Sequence, residues 1–321
     1  MAAGPLRVGV VGTGALGSHH ARVFASLDQV RLTTVFDLDP ARAKSVGEPF
    51  GATVALNLDD FIGQVDAAVI AVPTLAHAEV ATRLIAASRH VLVEKPVTQT
   101  IEDAEKLVAL AADQGVVLQV GHVERFNPAS EALRRISTPR FVEVHRLSPF
   151  PNRSLDIDVI LDLMIHDLDL LLALDQSKPV QIDAVGVPVL TDRFDIANVR
   201  IRFESGLIAN LTASRVSAEK IRKFRVFGSG LYASCDFLTR QAQIAKLVFG
   251  ETGVPEIRME SLGSAQGNPE SEPLRLQAQA FVRAILDETP PVVSGRDGVA
   301  VLRIAKEVLA KMSDMGRNTP S

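Results

Sequence analysis

Apolar positions in the first 122 residues come in short unbroken runs: LRVGVV (6–11), RLTTVF (31–36), AAVIAV (67–72), HVLVE (90–94) and VVLQVG (116–121). A strand that is apolar on both faces is one buried on both faces. Between the runs lie the helical stretches ALGSHHARVFASL, ARAKSVGEPF, AHAEVATRLIAAS and IEDAEKLVALAADQG. Regular alternation of buried strand and helix predicts an α/β domain with a doubly wound parallel sheet covered by helices on both faces.

Beyond residue 122 the pattern changes. A short helix at about 127–137 and a strand at 140–148 precede the greasy segment VILDLMIHDLDLLLAL (159–174). From 180 to about 260 the chain reads as consecutive strands, among them VQIDAVGVPV, IANVRIRFES, GLIANLTASR, KIRKFRVFGS and GLYASCDF. The turn signals Glu204-Ser205-Gly206 and Gly228-Ser229-Gly230 predict antiparallel neighbours. SPFPNRSLD (148–156) and LGSAQGNPESEP (262–273) read as loops, and helices near 274–288 and 296–313 follow. The expected division is therefore 1–122 for the doubly wound domain and 123–321 for an α+β domain with a mostly antiparallel sheet. No internal repeat is visible.

Candidate chemistry sits at particular places in this pattern. Gly12-Thr13-Gly14-Ala15-Leu16-Gly17 reads G-x-G-x-x-G, follows a strand and opens a helix. In that context the glycines allow a tight turn and close backbone approach, so a dinucleotide pyrophosphate can rest on the helix N-terminus, as in a Rossmann domain. Asp37 ends the second strand, where an acid accepts hydrogen bonds from adenosine ribose hydroxyls and repels a 2′-phosphate; NAD is expected over NADP, with Arg42 nearby as the opposing signal. Asp39 suits an N-cap before Pro40. Val72-Pro73-Thr74 ends the AAVIAV strand with His77 in the next helix, and Glu94-Lys95-Pro96 ends the HVLVE strand. Ligands of open α/β sheets bind outside the carboxyl ends of strands, so both groups are expected to flank the cofactor. Gly121-His122-Val123-Glu124-Arg125-Phe126-Asn127-Pro128 follows at the end of the VVLQVG strand, from where Arg125 can reach cofactor or substrate. On segment 159–174, at 3.6 residues per turn, Asp162, His166 and Asp169 fall on one side, and Asp167 points about 100° away. Asp and His at i, i+4 with Asp at i+7 also suit a divalent cation, but no other compact cluster supplies further ligands, and no metal is expected.

Composition narrows the class. Of 321 residues, 47% are apolar and 22% charged, which suits a globular chain with real cores. The 34 basic and 38 acidic side chains give a net charge of −4 and no basic face for a nucleic acid. A single cysteine, Cys235, precludes an intrachain disulfide and reads as a buried free thiol; with no export signal at the start and no greasy segment free of ionisable groups, a cytoplasmic protein without a membrane span is expected.

Taken in order, Gly12-x-Gly14-x-x-Gly17, Glu94-Lys95-Pro96 and Asp162-x-x-x-His166 resemble the glucose-fructose oxidoreductase and inositol dehydrogenase (Gfo/Idh/MocA) family over nearly the whole chain. The resemblance implies an NAD-dependent dehydrogenase of CH–OH groups in which Lys95 contacts nicotinamide and the reacting sugar hydroxyl. Asp162 and His166 would complete the catalytic group. It also implies a structural glycine turn at Gly228-Ser229-Gly230 and a homodimer or homotetramer. Oxidising a secondary alcohol moves a hydride while a base takes the hydroxyl proton. His166 is the first choice of base, with Asp162 holding its ring or a substrate hydroxyl and Lys95 orienting the hydroxyl; a proton path shared by Lys95 and His166 stays open.

The string GHVERFNPA resembles the branch of that family acting on nucleotide-linked amino sugars. This implies oxidation of UDP-N-acetylglucosamine at C3, feeding an aminotransferase on a route to amide-linked lipid A. His122, Arg125, Asn127, Arg153 and Asp169 join Lys95, Asp162 and His166 as candidate substrate contacts. A pyrophosphate calls for cations, and Arg146, Arg153, Arg215, Lys220, Arg222, Lys223 and Arg225 are available, although KIRKFRVF places its charges on both faces of a strand. Two other readings stand beside this one: a dehydrogenase of a free sugar or polyol such as myo-inositol, and a non-catalytic NAD-binding sensor. Asp167, off the stripe, reads best as a partner for an arginine on a neighbouring element.

Overall fold

The computed structural model describes residues 4–150, 157–249, 254–263 and 268–317. By compactness the chain divides into two units, Met1–Val123 with Glu272–Ala300 and Glu124–Ser271 with Val301–Ser321.

In the first unit, strands β1 (Leu6–Val11), β2 (Val30–Phe36), β3 (Thr53–Val54), β4 (Ala67–Ile70), β5 (His90–Glu94) and β6 (Leu118–Gly121) form a parallel sheet in the order β3-β2-β1-β4-β5-β6. Helices α1 (Ala15–Ala25), α2 (Pro40–Gly47), α3 (Leu58–Gly63), α4 (His77–Ala86) and α5 (Ile101–Asp113) make the crossovers. This is the doubly wound order, with a topological switch beside β1. Core side chains alternate to the two faces: Val8, Val10, Val69 and Leu92 pack with α1, while Val11, Ile70, Val91 and Val93 pack with α4 and α5. Asp39 caps α2 by accepting from the amides of Ala41 and Arg42, as expected.

The second unit holds α6 (Glu131–Arg134), β7 (Pro139–Leu147), α7 (Ile165–Leu174), β8 (Pro179–Val187), β9 (Ile196–Phe203), β10 (Ile208–Ser214), β11 (Ile221–Gly228), β12 (Leu231–Asp236), β13 (Gln241–Phe249) and β14 (Pro255–Gly263). Its eight strands run β14-β13-β12-β11-β7-β10-β9-β8, antiparallel throughout except where β7 meets β10. β9 alternates buried and exposed positions, so one face of this sheet is core and the other is open. The core face packs against α7 through Leu168 and Leu171.

Two helices complete the chain, α8 (Pro273–Leu286) and α9 (Gly295–Arg317). The sequence boundary at 122/123 assigned both to the second domain, yet α8 belongs by compactness to the first unit. The reason is packing: Ala278, Phe281 and Val282 enter the α1 core, with the Phe281 ring edge-on to Phe24 at 6.4 Å. Residues Gly295–Ala300 go with the first unit and the remainder of α9 with the second.

The entry to the helical segment at 159 is fixed by a buried ion pair. Asp195 and Arg215 are both fully buried, with Nε donating to Oδ1 at 2.7 Å, and Asp195 Oδ2 accepts from the amides of Val189, Leu190 and Thr191. Arg215 Nη1 donates to the Ile157 carbonyl at 2.7 Å. Burial works against the Asp195 carboxylate, but those amides and the guanidinium outweigh it and hold its pKa well below the usual carboxylate range. The folded carboxyl thus binds its proton more weakly than the unfolded one, so its stabilisation is complete above about pH 4 and is lost as pH falls further. Asp195→Asn is expected to cost about 3 kcal/mol at neutral pH and to flatten the acid limb of stability, read from urea unfolding between neutral and strongly acid pH.

Candidate functional site

The glycine loop has the shape its motif demands. Gly12 has φ +87°, and a Cβ there would lie 2.7 Å from the backbone of Ala71; a Cβ on Gly17 would lie 1.8 Å from the Gly12 carbonyl oxygen. These two positions close the turn and seat α1 against it. Gly14 instead faces open space and is the N-cap of α1, with no side-chain cap and no acid in the first turn. The first amides of α1, next to exposed Ala15 and Leu16, are therefore left for an anion, which fits a dinucleotide pyrophosphate.

Asp37 stands at the end of β2. Its Oδ2 accepts from the Thr13 amide at 2.7 Å and the Thr13 hydroxyl at 2.9 Å, and Oδ1 accepts from the Asp39 amide at 2.9 Å. Burial alone would raise its pKa; the amides, the hydroxyl and Arg42 together keep it below the ordinary value. Arg42 approaches Asp37 at 3.7 Å and Asp39 at 3.4 Å, so its charge is already answered by two carboxylates.

At the ends of β4 and β5, Val72, Pro73 and Thr74 lead into α4, whose first residue is His77. His77 is buried, its Nδ1 2.9 Å from the Pro96 carbonyl and its Nε2 2.9 Å from the Val72 carbonyl. Burial pulls its imidazole below the ordinary value against the pull of those carbonyls and Glu94. Glu94 is also buried, with Oε1 2.7 Å from Nε2 of His20 on α1 and Oε2 accepting from the Lys95 amide at 3.2 Å. Lys95 is partly exposed, and the Lys95-Pro96 bond is cis. His20 was missed from the sequence. Its signal was a histidine three residues past Gly17 on the face that carries Ala21 and Phe24 into the core.

In the second unit, Asp162 lies in a π-helical stretch, Ile160–Met164, that runs directly into α7. A wheel drawn at 3.6 residues per turn does not hold across such a turn. The outcome separates the expected stripe: Asp162 and His166 are partly exposed, whereas Asp169 is fully buried and takes a two-pronged pair from Arg125, at 2.7 and 2.9 Å. Asp167 finds the arginine expected of it. Arg146 donates from Nε and Nη2 to Asp167, both at 2.8 Å, and from Nη1 to Glu124 at 3.0 Å. Burial by itself would lower the Arg146 pKa, but the two carboxylates raise it and keep the guanidinium charged.

The string after β6 is built into these contacts. His122 is buried, and its amide donates to the Val120 carbonyl. Asn127 is buried too, with Oδ1 accepting from the Ala129 amide and Nδ2 donating to Glu124 and to the Phe237 carbonyl. Of the cations suggested for a pyrophosphate, Arg146 and Arg215 are internal, Arg222 meets Glu124 at 3.3 Å, Lys223 meets Asp236 at 3.9 Å and Arg225 meets Glu143 at 2.9 Å. Lys220 is exposed, and Arg153 lies outside the described residues. Cys235 is buried, its thiol pushed up to about 12 by that burial. Among the described residues no three His, Cys, Asp or Glu side chains group to hold a metal, and no helix is long and apolar enough to cross a membrane.

Residues 6–122 match the family model described as oxidoreductase family, NAD-binding Rossmann fold, and residues 134–232 match the GFO/IDH/MocA C-terminal domain. The chain is 39% identical over 306 residues to UDP-N-acetylglucosamine 3-dehydrogenase of Acidithiobacillus ferrooxidans, covering 94% of this chain and 96% of the relative. A solved structure of that protein superposes with a TM-score of 0.88 at 38% identity, covering 96% of this chain and 97% of the other. Inositol 2-dehydrogenase of Rhizobium meliloti is 26% identical over 331 residues, covering 96% and 97%. With residues 6–122 and 134–232 matched and a relative this similar along nearly its whole length, the chain belongs to the GFO/IDH/MocA family of oxidoreductases, enzymes whose Rossmann unit binds NAD.

Proposed function

We propose that the chain oxidises the C3 hydroxyl of UDP-N-acetylglucosamine to a ketone. What carries this reading is the 39% identity over 94% of the chain to a relative bearing that activity in its name, against 26% at matched coverage for an inositol dehydrogenase. The C3 hydrogen leaves as a hydride and the hydroxyl loses a proton, so the alcohol is oxidised by two electrons. NAD, when bound, supplies the hydride acceptor.

The chain supplies the rest. The bare N-terminus of α1 holds the pyrophosphate, and Asp37 accepts from the adenosine ribose, while Val72, Pro73 and Thr74 shape the wall beside the nicotinamide. Lys95 orients the hydroxyl and stabilises negative charge developing on its oxygen. His166 takes the proton, and Asp162, one helical turn earlier, steers its ring or a neighbouring sugar hydroxyl. Arg125 and Asp169 act as a wall, since each already satisfies the other. The 3-keto product is the substrate class of an aminotransferase, and the cytoplasm is the proposed setting. Incubation with NAD and UDP-N-acetylglucosamine is expected to form NADH, with an aminotransferase added to remove the keto sugar. Lys95→Ala and His166→Ala should each lower kcat by about 10²- to 10⁴-fold. Turnover of myo-inositol, with none of the UDP-sugar, replaces this reading with the polyol one; tight NAD binding without any turnover replaces it with the sensor.

Cofactor choice follows from Asp37. Asp37→Ala removes the ribose acceptor and the repulsion of a 2′-phosphate and leaves Arg42 with Asp39 as its carboxylate partner, so kcat/KM with NADP relative to NAD should rise by about tenfold.

We also propose that the open face of the second sheet joins two copies of the chain. Strand register aligns Ile208, Phe141, Phe227, Tyr232, Ala245 and Met259 in one row across six strands. Phe141, Phe227 and Tyr232 stack with centroids 5.9 and 5.0 Å apart. A row of this kind is an apolar surface that association would remove from water. Phe227→Glu is expected to reduce the mass seen by light scattering to that of one chain, and an unchanged mass would remove this face as the interface.

A further inference from the structure

The turn that carries Lys95 is gripped on both sides by buried histidines. On one side, the Glu94 carboxylate is sunk between two elements: His20 Nε2 of α1 lies 2.7 Å from Oε1, and Gly121 of β6 leaves the space in which the carboxylate lies, since a Cβ there would come within 2.8 Å of Cδ and of both oxygens. Oε2 accepts from the Lys95 amide itself. On the other side, the Pro96 carbonyl faces Nδ1 of His77 at 2.9 Å, and the opposite nitrogen of the same ring faces the Val72 carbonyl at 2.9 Å. One imidazole therefore spans the turn after β5 and the Val72-Pro73-Thr74 segment after β4. Both rings are fully enclosed, at 0% and 1% exposure, which leaves them no role in touching a ligand.

We propose that His20 and His77 are positioning residues for Lys95: His20 fixes the residue before it through the Glu94 carboxylate, and His77 fixes the residue after it through the Pro96 carbonyl. This rests on the reading of Lys95 as the group that orients the reacting hydroxyl. A lysine side chain has four rotatable bonds and no intrinsic direction. Anchoring its backbone from α1, β6 and α4 at once sets where that side chain begins. A displacement of about 1 Å at such a group costs about 100-fold in rate. His77 also makes the cofactor segment and the lysine turn move as one piece, so the two sides of the hydride transfer keep their spacing.

The test uses the full chain and the variants His20→Leu, His20→Gln, His77→Leu and His77→Gln, each made also in the Lys95→Ala background. Both leucine variants should lower kcat by about 10- to 100-fold while leaving NAD affinity within about threefold, and His20→Gln, which keeps a donor for Glu94, should recover most of the loss. In the Lys95→Ala background neither histidine change should cost more than about twofold, because its effect passes through the missing amine. Equal losses in both backgrounds would show a general structural role and overturn the proposal. A second readout needs no turnover: the lysines are reductively ¹³C-methylated, and the Lys95 resonance is assigned by its loss in Lys95→Arg. It should change in shift and titration midpoint in both leucine variants; a Lys95 resonance that stays at its wild-type shift and midpoint in both sinks the idea. If Lys95→Ala leaves turnover intact, the catalytic reading of Lys95 fails by itself, and the resonance still decides whether the histidines hold it.

Discussion

A carboxylate taken out of water must find its compensation inside the protein, and the arrangement of this chain's functional segments follows from that constraint. Glu94, Asp167, Asp169 and Asp195 are all buried, and each faces a nitrogen base far away in sequence: His20, Arg146, Arg125 and Arg215. Such pairs contribute little net stability once desolvation is counted, but losing one partner is costly. They therefore act as registers. Asp167 and Asp169 set the rotation of α7, Arg215 holds the chain where the helical segment begins, and Glu94 holds the end of β5. Lys95 in one unit and Asp162 and His166 in the other are left partly in solvent, and these are the groups to which the proposed chemistry is given.

The architecture was legible because strands buried on both faces and long amphipathic helices leave strong signals. β3, two residues long, and α3, six residues long, left none, since neither is long enough to show a period. The placement of α8 was illegible for a different reason. An apolar helix face says that a core is needed and does not say which, and only the fit of Phe281 to Phe24 settles it.

The site was legible as a set of residue types and less so as a set of contacts. Gly12, Gly14 and Gly17 could be placed because their roles depend on the local backbone. Asp169 could not, because its partner Arg125 lies 44 residues away. Asn127 looked like a loop residue near a ligand, yet its polar atoms are taken up by Ala129, Glu124 and the Phe237 carbonyl. Polar residues at a strand end serve a ligand or the fold, and a single sequence records only that they are polar.

The choice of imidazole on both sides of the lysine turn follows from charge. A neutral imidazole donates a hydrogen bond while adding no full positive charge, whereas arginine or lysine carries one permanently. At position 20 or 77 a permanent cation would stand close to the turn that carries Lys95. It would also disfavour the protonated lysine, and with it the positive charge that the role proposed for Lys95 requires. His77 is buried at the N-terminal turn of α4, where a cation is least welcome, and that burial lowers its pKa against the pull of the two carbonyls and Glu94. Histidine can thus face the Glu94 carboxylate and the Pro96 and Val72 carbonyls without bringing a permanent cation to the lysine turn.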